Sequence, residues 1–462
     1  MRIRDARATR SLLAIISLFI ASSSSAGEPE TFDRLTFHEA PKLLQKKSLT
    51  SDWPRLLGSS HNATSPETHL LHEFPKAGPS VVWEVAKGGG FGGPAIAGDS
   101  LVIFHRLDER EVVECLNAET GRRVWKFDYA APYRPRYGGS TGPRTSPVID
   151  GTRVFTFGIA GHLHALDFAT GKVIWQHDCA REFSMGPAFF GYGSTPLVLG
   201  SRLIVQIGGD VAGKKVNTAA FDTATGKLLW IAAHEWGASY SSPIPATLHG
   251  RECVLVFAGG ESRPPTGGLL IIDGASGAVL GSSPLRADIA ESVSASSPVV
   301  IGSRIFVSEA YSTGGACFEV APDFSVKPAW IAEKFGLYWM TPLVRDGCLF
   351  GFAGMSERLA ELVCHDIANG KELWRSDLGG GLGRASLLAV DGGVLCLGEF
   401  GDLAWLDLTP KGASIKSRAK LFNAPETWTL PAVSNGRLYV SQNEHGSGGA
   451  KPRLICYDLR AP

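Results

Sequence analysis

A short segment that occurs again and again along the chain limits the possible folds more than any other feature. LDFATGKVIW at residues 166–175 is closely matched by LNAETGRRVW, FDTATGKLLW, IDGASGAVLG and HDIANGKELW, and two weaker copies follow. Aligned on their Asp or Asn, the copies fall at Asn117, Asp167, Asp222, Asp273, a degenerate Ala321, Asp366, Asp407 and Asp458. Successive spacings of 41 to 55 residues are typical of four-stranded propeller blades.

The residue types of the repeat predict a hairpin between the third and fourth strands of each blade. The Asp or Asn side chain accepts hydrogen bonds from nearby backbone N–H groups, Thr or Ser adds a second local acceptor, and Gly supplies the positive φ. Four residues after the glycine stand Trp125, Trp175, Trp230 and Trp374. We expect each indole to pack against the next blade, where its burial favours docking.

The remainder of each unit also indicates β structure. Alternating strands and glycine-containing turns recur at short intervals, and units start at Ser146-Pro147, Thr195-Pro196, Ser242-Pro243, Ser297-Pro298 and Thr341-Pro342. The last copy lacks a fourth strand, whereas Val81–Val85 form an isolated strand that carries Trp83. The sequence therefore predicts an all-β, eight-bladed β-propeller with tryptophan-docking repeats, closed by the N-terminal strand.

The first 26 residues have the pattern of an export signal. Four arginines up to Arg10 precede the apolar run Leu12–Ala21, and small residues end at Ala26. The run is too short to cross a membrane, and no cysteine follows it for lipid attachment. We expect a signal peptide at 1–26, a leader segment at 27–79 and a propeller domain at 80–462. The mature protein would lie in the periplasm or outside the cell, without a lipid anchor or membrane span.

Charge and cysteine content exclude several classes of protein. Lys+Arg and Asp+Glu both number 45, which argues against nucleic acid as a partner. Of the eight cysteines, four lie beside the repeated turn, where other copies have Ala or Ile: Cys115, Cys317, Cys364 and Cys456. They are interpreted as small packed residues. Cys179, Cys253, Cys348 and Cys396 are left as free thiols or disulfide partners, with free thiols favoured.

The pattern A/L-x-D-x-x-T-G-x-x-x-W resembles the tryptophan-docking repeat of the pyrroloquinoline quinone (PQQ) propeller family of exported bacterial proteins. The resemblance covers about residues 80–462, is specific in four copies, and extends to the leader DWPRLLGSSHNATSPE at residues 52–67. This family includes quinoprotein alcohol dehydrogenases and an outer-membrane assembly lipoprotein. The resemblance thus implies either a dehydrogenase with PQQ and Ca²⁺ or a binding scaffold.

One departure from the family pattern bears on that choice. The dehydrogenases have an adjacent Cys-Cys pair that stacks on the quinone, and this sequence has none. Without that pair, their Asp, Glu and Asn positions cannot be transferred to this chain, so the catalytic residues stay unknown. The leading hypothesis is a monomeric binding or interaction module of the cell envelope, whose partner is a protein or an envelope polymer. The alternative is a PQQ-dependent alcohol or sugar dehydrogenase.

Two groups of side chains are candidates for a site. Residues just ahead of the inner strands should surround the mouth of the central channel: Arg144, Tyr192, Tyr240, Glu291, Trp339, Arg384 and Trp428. Arginines beside aromatic rings suit a planar, anionic ligand, although packing and ion pairing are the favoured explanation of such residues. Acidic residues of other loops form the second group, Asp210, Glu261, Glu309, Glu399 and Glu444. Converging carboxylates would suit Ca²⁺, but solvated loop acids are the simpler interpretation, and no metal is assigned.

The docking role of the repeated tryptophan predicts a large loss of stability when the ring is removed. Trp175→Ala should lower the free energy of unfolding by about 3 to 5 kcal/mol, because it leaves a cavity between two blades. The shift of the denaturant midpoint measures this effect. An unchanged midpoint would contradict the docking role.

Overall fold

Eight antiparallel sheets make up nearly all the regular structure of the computed structural model, which describes residues 32–186 and 188–462. The signal peptide expected at 1–26 lies outside these residues. Two strands precede the first complete blade, β1 at Leu35–Phe37 and β2 at Val81–Ala86. A four-residue helix, α1 at Cys179–Glu182, and a 3₁₀ turn at Ser447–Gly449 are the helical elements of the described chain.

The first four blades follow one another along the chain, each with four consecutive strands. Blade 1 contains β3 Ala95–Ala97, β4 Ser100–Leu107, β5 Arg110–Asn117 and β6 Arg123–Ala130. Blade 2 contains β7 Val148–Asp150, β8 Arg153–Phe157, β9 His162–Asp167 and β10 Val173–Asp178. Blade 3 contains β11 Leu197–Leu199, β12 Arg202–Val211, β13 Lys214–Asp222 and β14 Leu228–Ala233. Blade 4 contains β15 Ile244–Leu248, β16 Arg251–Ala258, β17 Gly268–Asp273 and β18 Val279–Pro284.

The remaining blades continue the same order until the last one. Blade 5 contains β19 Val299–Ile301, β20 Arg304–Glu309, β21 Gly314–Val320 and β22 Val326–Ala332. Blade 6 contains β23 Leu343–Arg345, β24 Cys348–Ala353, β25 Glu361–Asp366 and β26 Glu372–Ser376. Blade 7 contains β27 Ser386–Val390, β28 Gly393–Leu397, β29 Asp402–Thr409 and β30 Gly412–Lys420. Blade 8 contains β31 Ala432–Ser434, β32 Arg437–Gln442 and β33 Arg453–Asp458.

The N-terminal strand completes blade 8, which confirms the predicted closure of the ring. β2 pairs antiparallel with β33, so that Trp83 lies opposite Cys456. β1 then pairs with β2 as a fifth strand, with Phe37 opposite Trp83. The predicted eight-bladed propeller is therefore confirmed, and the additional outer strand β1 is a feature that the repeat did not indicate.

Docking tryptophans bind the hairpin turn of the following blade, and Trp125 shows the two contacts involved. The Trp125 Nε1–H donates to the Phe168 carbonyl at 2.8 Å, and its ring lies against Gly171, where an added Cβ would be 2.4 Å from the indole. Gly171 also has a φ of 69°. The turn therefore needs glycine for two reasons: the positive φ, and the close approach of the indole ring that a Cβ would block. The same indole-to-carbonyl bond joins Trp83 to Ala118, Trp175 to Thr223, Trp230 to Gly274, Trp330 to Ile367 and Trp374 to Thr409.

A small residue lies directly opposite each docking tryptophan on the neighbouring strand. The pairs are Cys115 with Trp125, Ala165 with Trp175, Ala220 with Trp230, Cys317 with Trp330, Cys364 with Trp374 and Cys456 with Trp83. All eight cysteines of the chain are buried free thiols. The interpretation of the repeat cysteines as small packed residues is confirmed, and the four other cysteines form no disulfide.

Two blades depart from this docking arrangement. In blade 4, Gly281 occupies the tryptophan position, and Phe324 and Val326 of blade 5 fill the space beside it. In blade 7 the tryptophan and the small residue have exchanged strands. Trp405 lies on the third strand, β29, and Ser417 lies opposite it on the fourth strand, β30. The Trp405 Nε1–H donates to Leu71 O at 2.8 Å in the leader. A segment from outside the repeats thus replaces the usual turn.

The leader segment also closes one end of the central channel. Trp53 forms an isolated bridge with Ile96 of blade 1, and Thr64 forms another with Ala389 of blade 7. Between these bridges Leu57 packs with Ile244, which belongs to blade 4. The leader therefore contacts inner strands on several sides of the ring, so that the channel has a floor.

A buried carboxylate fixes the leader to blade 8. Glu67, of which 1% is exposed, accepts hydrogen bonds from the backbone N–H groups of Asn435 at 2.5 Å, Gly436 at 2.8 Å and Ser51 at 2.9 Å. Burial raises the pKa of this carboxyl, although the three N–H groups act in the opposite direction. Three donors converging on one side chain hold the floor of the channel to the last blade.

Acidification should destabilise the junction between blades 1 and 2, because His164 is buried there against Tyr129. Burial, with a smaller effect of His162, lowers the pKa of His164 from 6.5 to about 3. Below pH 6.5 the unfolded chain therefore takes up a proton that the folded chain refuses, and stability falls as the pH falls. The loss should reach about 2 kcal/mol between pH 8 and pH 5.

Denaturant unfolding of His164→Gln at both pH values checks this prediction. The variant should lose about 2 kcal/mol less than the wild type over that interval, whereas replacement of the exposed His445 by Gln should leave the pH dependence as it is. Equal pH dependence of His164→Gln and the wild type would show that His164 does not contribute.

Candidate functional site

The central channel forms a cavity of about 420 Å³ that is open at one face of the ring. Leu56, Leu57 and Ala63 of the leader line its closed end. At the other end lie the segments that connect consecutive blades, including Tyr137 and Phe190. The volume falls within the range of ordinary small-molecule pockets. A propeller channel closed in this way is a pocket and not a passage.

A belt of hydroxyl groups surrounds the cavity just ahead of the inner strands. Each hydroxyl accepts a hydrogen bond from a backbone N–H of the preceding blade: Ser146 from Gly93, Thr195 from Ser146, Ser242 from Thr195, Ser297 from Ser242 and Thr341 from Ser297, at 2.9 to 3.2 Å. This explains why the units start with Ser or Thr followed by Pro. The hydroxyl satisfies the neighbour's donor, and proline adds no N–H of its own.

Aromatic rings and one ion pair form a wall of the mouth. Trp428 lies 4.7 Å from Trp339 and 5.1 Å from Phe91, measured between ring centroids. The guanidinium carbon of Arg384 lies 4.5 Å from the centre of the Trp339 ring. Arg384 also binds both carboxylate oxygens of Glu399, which accepts a further bond from Trp428 Nε1 at 2.7 Å. The Arg384 charge is thus already compensated.

Arg144 lies at the mouth, and no ion pair among the residues that the structure describes includes it. Its Nε donates to Phe190 O at 2.6 Å and its Nη2 to Ser140 O at 3.2 Å. The rings of Phe91 and Phe190 lie 5.3 and 5.1 Å from its guanidinium carbon. Burial lowers the pKa of Arg144. The surroundings therefore favour an anion beside this group.

The residues predicted for the channel rim separate into three groups. Arg144, Tyr240, Trp339 and Trp428 line the cavity. Tyr192 lines a smaller pocket of about 280 Å³, which shares Tyr240 with the cavity. Arg384 and Glu291 do not line the cavity, because Arg384 is paired with Glu399 and Glu291 with Arg263. The channel mouth brings four of the seven together.

Three further residues of the mouth were missed by the repeat alignment. Phe91, Phe190 and Glu426 line the cavity, yet they lie in connecting segments outside the repeated pattern. Glu426 stands two residues before Trp428, which the alignment did identify, so an extension of the alignment by two positions would have found it.

Four of the five acidic residues considered as calcium ligands are ion-paired. Glu261 pairs with Arg136 at 2.8 Å, Glu309 with Arg286 at 3.3 Å and Asp210 with Lys215 at 3.6 Å, while Glu399 pairs with Arg384. Glu444 uses its backbone carbonyl to accept a bond from Gln442. Within residues 32–186 and 188–462, no group of three or more His, Cys, Asp or Glu side chains is arranged to hold a metal ion. These carboxylates do not converge.

Among the residues that the structure describes, no helix is long and apolar enough to cross a membrane.

Comparison with known proteins identifies the type of repeat. A family model, PQQ_2, described as outer membrane protein assembly factor BamB, matches residues 109–360. The chain is 29% identical over 133 residues to the quinohemoprotein alcohol dehydrogenase ADH IIB of Pseudomonas putida, a match that covers 28% of this chain and 18% of that protein. It is 29% identical over 122 residues to the dehydrogenase subunit of a quinone alcohol dehydrogenase of Gluconobacter oxydans (strain 621H), covering 26% and 16%. The matched regions span less than a fifth of these two curated relatives.

Solved structures agree on the fold. BamB from Moraxella catarrhalis matches 83% of this chain and 98% of its own, with 17% identity and a TM-score of 0.55. The quinohemoprotein alcohol dehydrogenase of Comamonas testosteroni matches 89% of this chain and 81% of its own, with 14% identity and a TM-score of 0.63. At such low identity these likenesses describe the fold alone.

The hydroxyl belt predicts a stability difference between two similar substitutions. Ser297→Ala should lower the free energy of unfolding by about 1 to 3 kcal/mol, because the buried N–H of Ser242 loses its acceptor. Ser297→Thr keeps a hydroxyl, as Thr195 and Thr341 do in other blades, and should stay closer to the wild type. Denaturant midpoints measure both changes. Equal losses for the two variants would mean that the belt hydrogen bond contributes nothing.

Proposed function

The chain belongs to the PQQ_2 propeller family, and from this premise we propose that it is a binding module of the cell envelope. The site of binding is the closed channel together with the loops around its mouth. The partner is a protein or an envelope polymer, one segment of which enters the mouth. Neither a nucleic acid nor a membrane is part of the proposed interaction.

The character of the mouth supports this proposal above all else. Its wall consists of aromatic rings, and the pairing of Arg384 with Glu399 leaves it rigid and largely neutral. Aromatic residues on a fixed scaffold are the usual anchors of binding surfaces. The site therefore offers contact area and a few polar groups, which is what recognition requires.

Export is part of the same proposal. The arginine-rich start of the chain, its apolar run and the small residues at Ala26 favour transfer across the inner membrane, with the mature protein in the periplasm or outside the cell. The description of the matching family as an outer membrane protein assembly factor is consistent with a role in the envelope. We propose a monomer without a lipid anchor.

A quinoprotein dehydrogenase is the second candidate, and one observation favours it. The stacked rings of Phe91, Trp428 and Trp339 would suit a planar quinone such as PQQ. The carboxylates do not fit, however, since Ca²⁺ needs six to eight oxygen ligands. Glu399, Glu291 and Glu261 are ion-paired with arginines, and Glu426 is the one carboxylate among the described residues that line the cavity. We therefore derive no catalytic step through PQQ.

A titration of the mature protein, beginning at Gly27, with PQQ distinguishes the two candidates. Tryptophan fluorescence reports binding because Trp339 and Trp428 line the cavity. Reduction of an electron-accepting dye, with a panel of alcohols and sugars, reports turnover. Both are measured with and without Ca²⁺.

The binding-module proposal expects no substrate-dependent dye reduction under any of these conditions. Binding of PQQ at micromolar concentration or below, followed by dye reduction that depends on the alcohol or sugar, would overturn the proposal and make the protein an enzyme. Trp428→Phe serves as the control for fluorescence, since it removes one reporter ring of the cavity wall.

A further inference from the structure

Two charged residues of the cavity are exceptional because neither belongs to an ion pair. Arg384 and Glu291 near the mouth are matched by Glu399 and Arg263. Arg144 and Glu426 both line the cavity, and no ion pair of the described residues includes either of them. Each still acts electrostatically on the other, since Glu426 raises the pKa of Arg144 and Arg144 lowers the pKa of Glu426. The pocket thus presents one charge of each sign to a ligand.

The Arg144 guanidinium is held so that one edge is left for a ligand. Nε and Nη2 are bound to the carbonyls of Phe190 and Ser140, and the rings of Phe91 and Phe190 lie near the guanidinium. No hydrogen bond within the described residues uses Nη1. A carboxylate is the group that best matches the remaining donors.

An unusual backbone conformation at Glu426 places this residue in the lining of the cavity. Its φ is 56°, a left-handed conformation that costs a non-glycine residue about 1 kcal/mol or more. The conformation is held from both sides, because Asn443 Nδ2 donates to Glu426 O at 3.1 Å and Thr427 N donates to Glu399 O at 2.9 Å. No hydrogen bond of the described residues involves the carboxylate itself.

The surroundings of Glu426 disfavour an isolated negative charge. Burial raises the pKa of this carboxyl, and Glu444 and Glu399 raise it further, while Arg384 and Arg144 oppose the rise. A ligand ammonium beside Glu426 would therefore favour the ionised carboxylate and would be stabilised by it.

The remaining wall suits the body of a short peptide. Trp339, Trp428 and Phe190 offer apolar faces, and the belt hydroxyls line the same cavity. Each belt hydroxyl accepts one backbone hydrogen bond and still has an O–H to donate. A peptide carbonyl is a matching acceptor, and a cavity of about 420 Å³ has room for more than one residue.

From these contacts we propose that the channel mouth binds a short zwitterionic peptide, with its carboxylate on Arg144 and its ammonium on Glu426. The peptide bond and an apolar side chain lie between the aromatic rings. This inference rests on the proposed function as a binding module, but it names a free short peptide with both of its ends as the occupant of the mouth, in place of a segment of a larger partner. A ligand with only negative charge would leave Glu426 unpaired, and one with only positive charge would face Arg144.

The test uses the dipeptide alanyl-phenylalanine in three forms: with free ends, N-acetylated and C-amidated. Binding to the mature protein is followed by calorimetry and by tryptophan fluorescence. The free dipeptide should bind, and each cap should weaken binding at least tenfold, because it leaves one protein charge without a partner. Failure of the free dipeptide to bind, or equal binding of the three forms, would overturn the inference.

Two variants assign each end of the ligand to its residue. Glu426→Gln should lose the preference for the free over the acetylated dipeptide but keep the preference for the free over the amidated form. Arg144→Met should lose the preference for the free over the amidated dipeptide but keep the preference for the free over the acetylated form. Glu444→Gln is the matched control, since Glu444 lies near Glu426 but does not line the cavity, and it should retain both preferences.

The capping series on the wild type keeps the inference falsifiable if a variant does not fold, which circular dichroism would show. A folded Glu426→Gln that still discriminates against acetylation would contradict the assigned orientation. The dehydrogenase assay fails or succeeds independently of these results. PQQ-dependent turnover would overturn the binding-module proposal, whereas a negative dipeptide result without turnover would overturn only the ligand class.

Discussion

The contact on which the rest of the structure depends is that between a docking tryptophan and the glycine of the next blade. An isolated four-stranded sheet would expose both faces, and a ring of such sheets is stable only when each face is buried by a neighbour. Trp125 shows how this is achieved, since its ring covers Gly171 while its Nε1–H satisfies the Phe168 carbonyl. Because one residue satisfies both an apolar and a polar requirement, the spacing from glycine to tryptophan is fixed. The same spacing made the repeat visible in the sequence.

The sequence predicted those parts of the fold that depend on neighbours along the chain. The hairpin turn is local, so Asp167, Gly171 and Trp175 revealed it directly. The missing strand of blade 8 followed from counting the strands of the last repeat unit. The leader was different, because its contacts join residues hundreds of positions apart, as between Glu67 and Gly436. No pattern within the leader itself indicates which strands it contacts. The exchange of Trp405 and its partner in blade 7 was hidden for the same reason.

The candidate site was predictable to the extent that it follows the repeat. Position relative to the inner strands identified Arg144 and Trp428, which line the cavity. The same rule could not show that Arg384 is neutralised, since its partner Glu399 comes from a different loop of the blade. An extension by two positions would have included Glu426, but the positive φ that places it is not visible in the sequence. The repeat alignment shows which residues lie near the channel mouth, but the ion pairs formed there decide which charges remain available to a ligand.

The completion of blade 8 by β2 has a consequence for the order of synthesis. β2 leaves the ribosome before any complete blade, yet its partner β33 lies at Arg453–Asp458, so hundreds of residues must be made before the two can pair. Val82, Trp83 and Val85 are fully buried in the finished ring, and until then they have no blade to cover them. An apolar strand that stays unpaired and exposed to solvent is prone to pair with other chains. The pairing with β33 is thus also the step that removes this apolar strand from solvent.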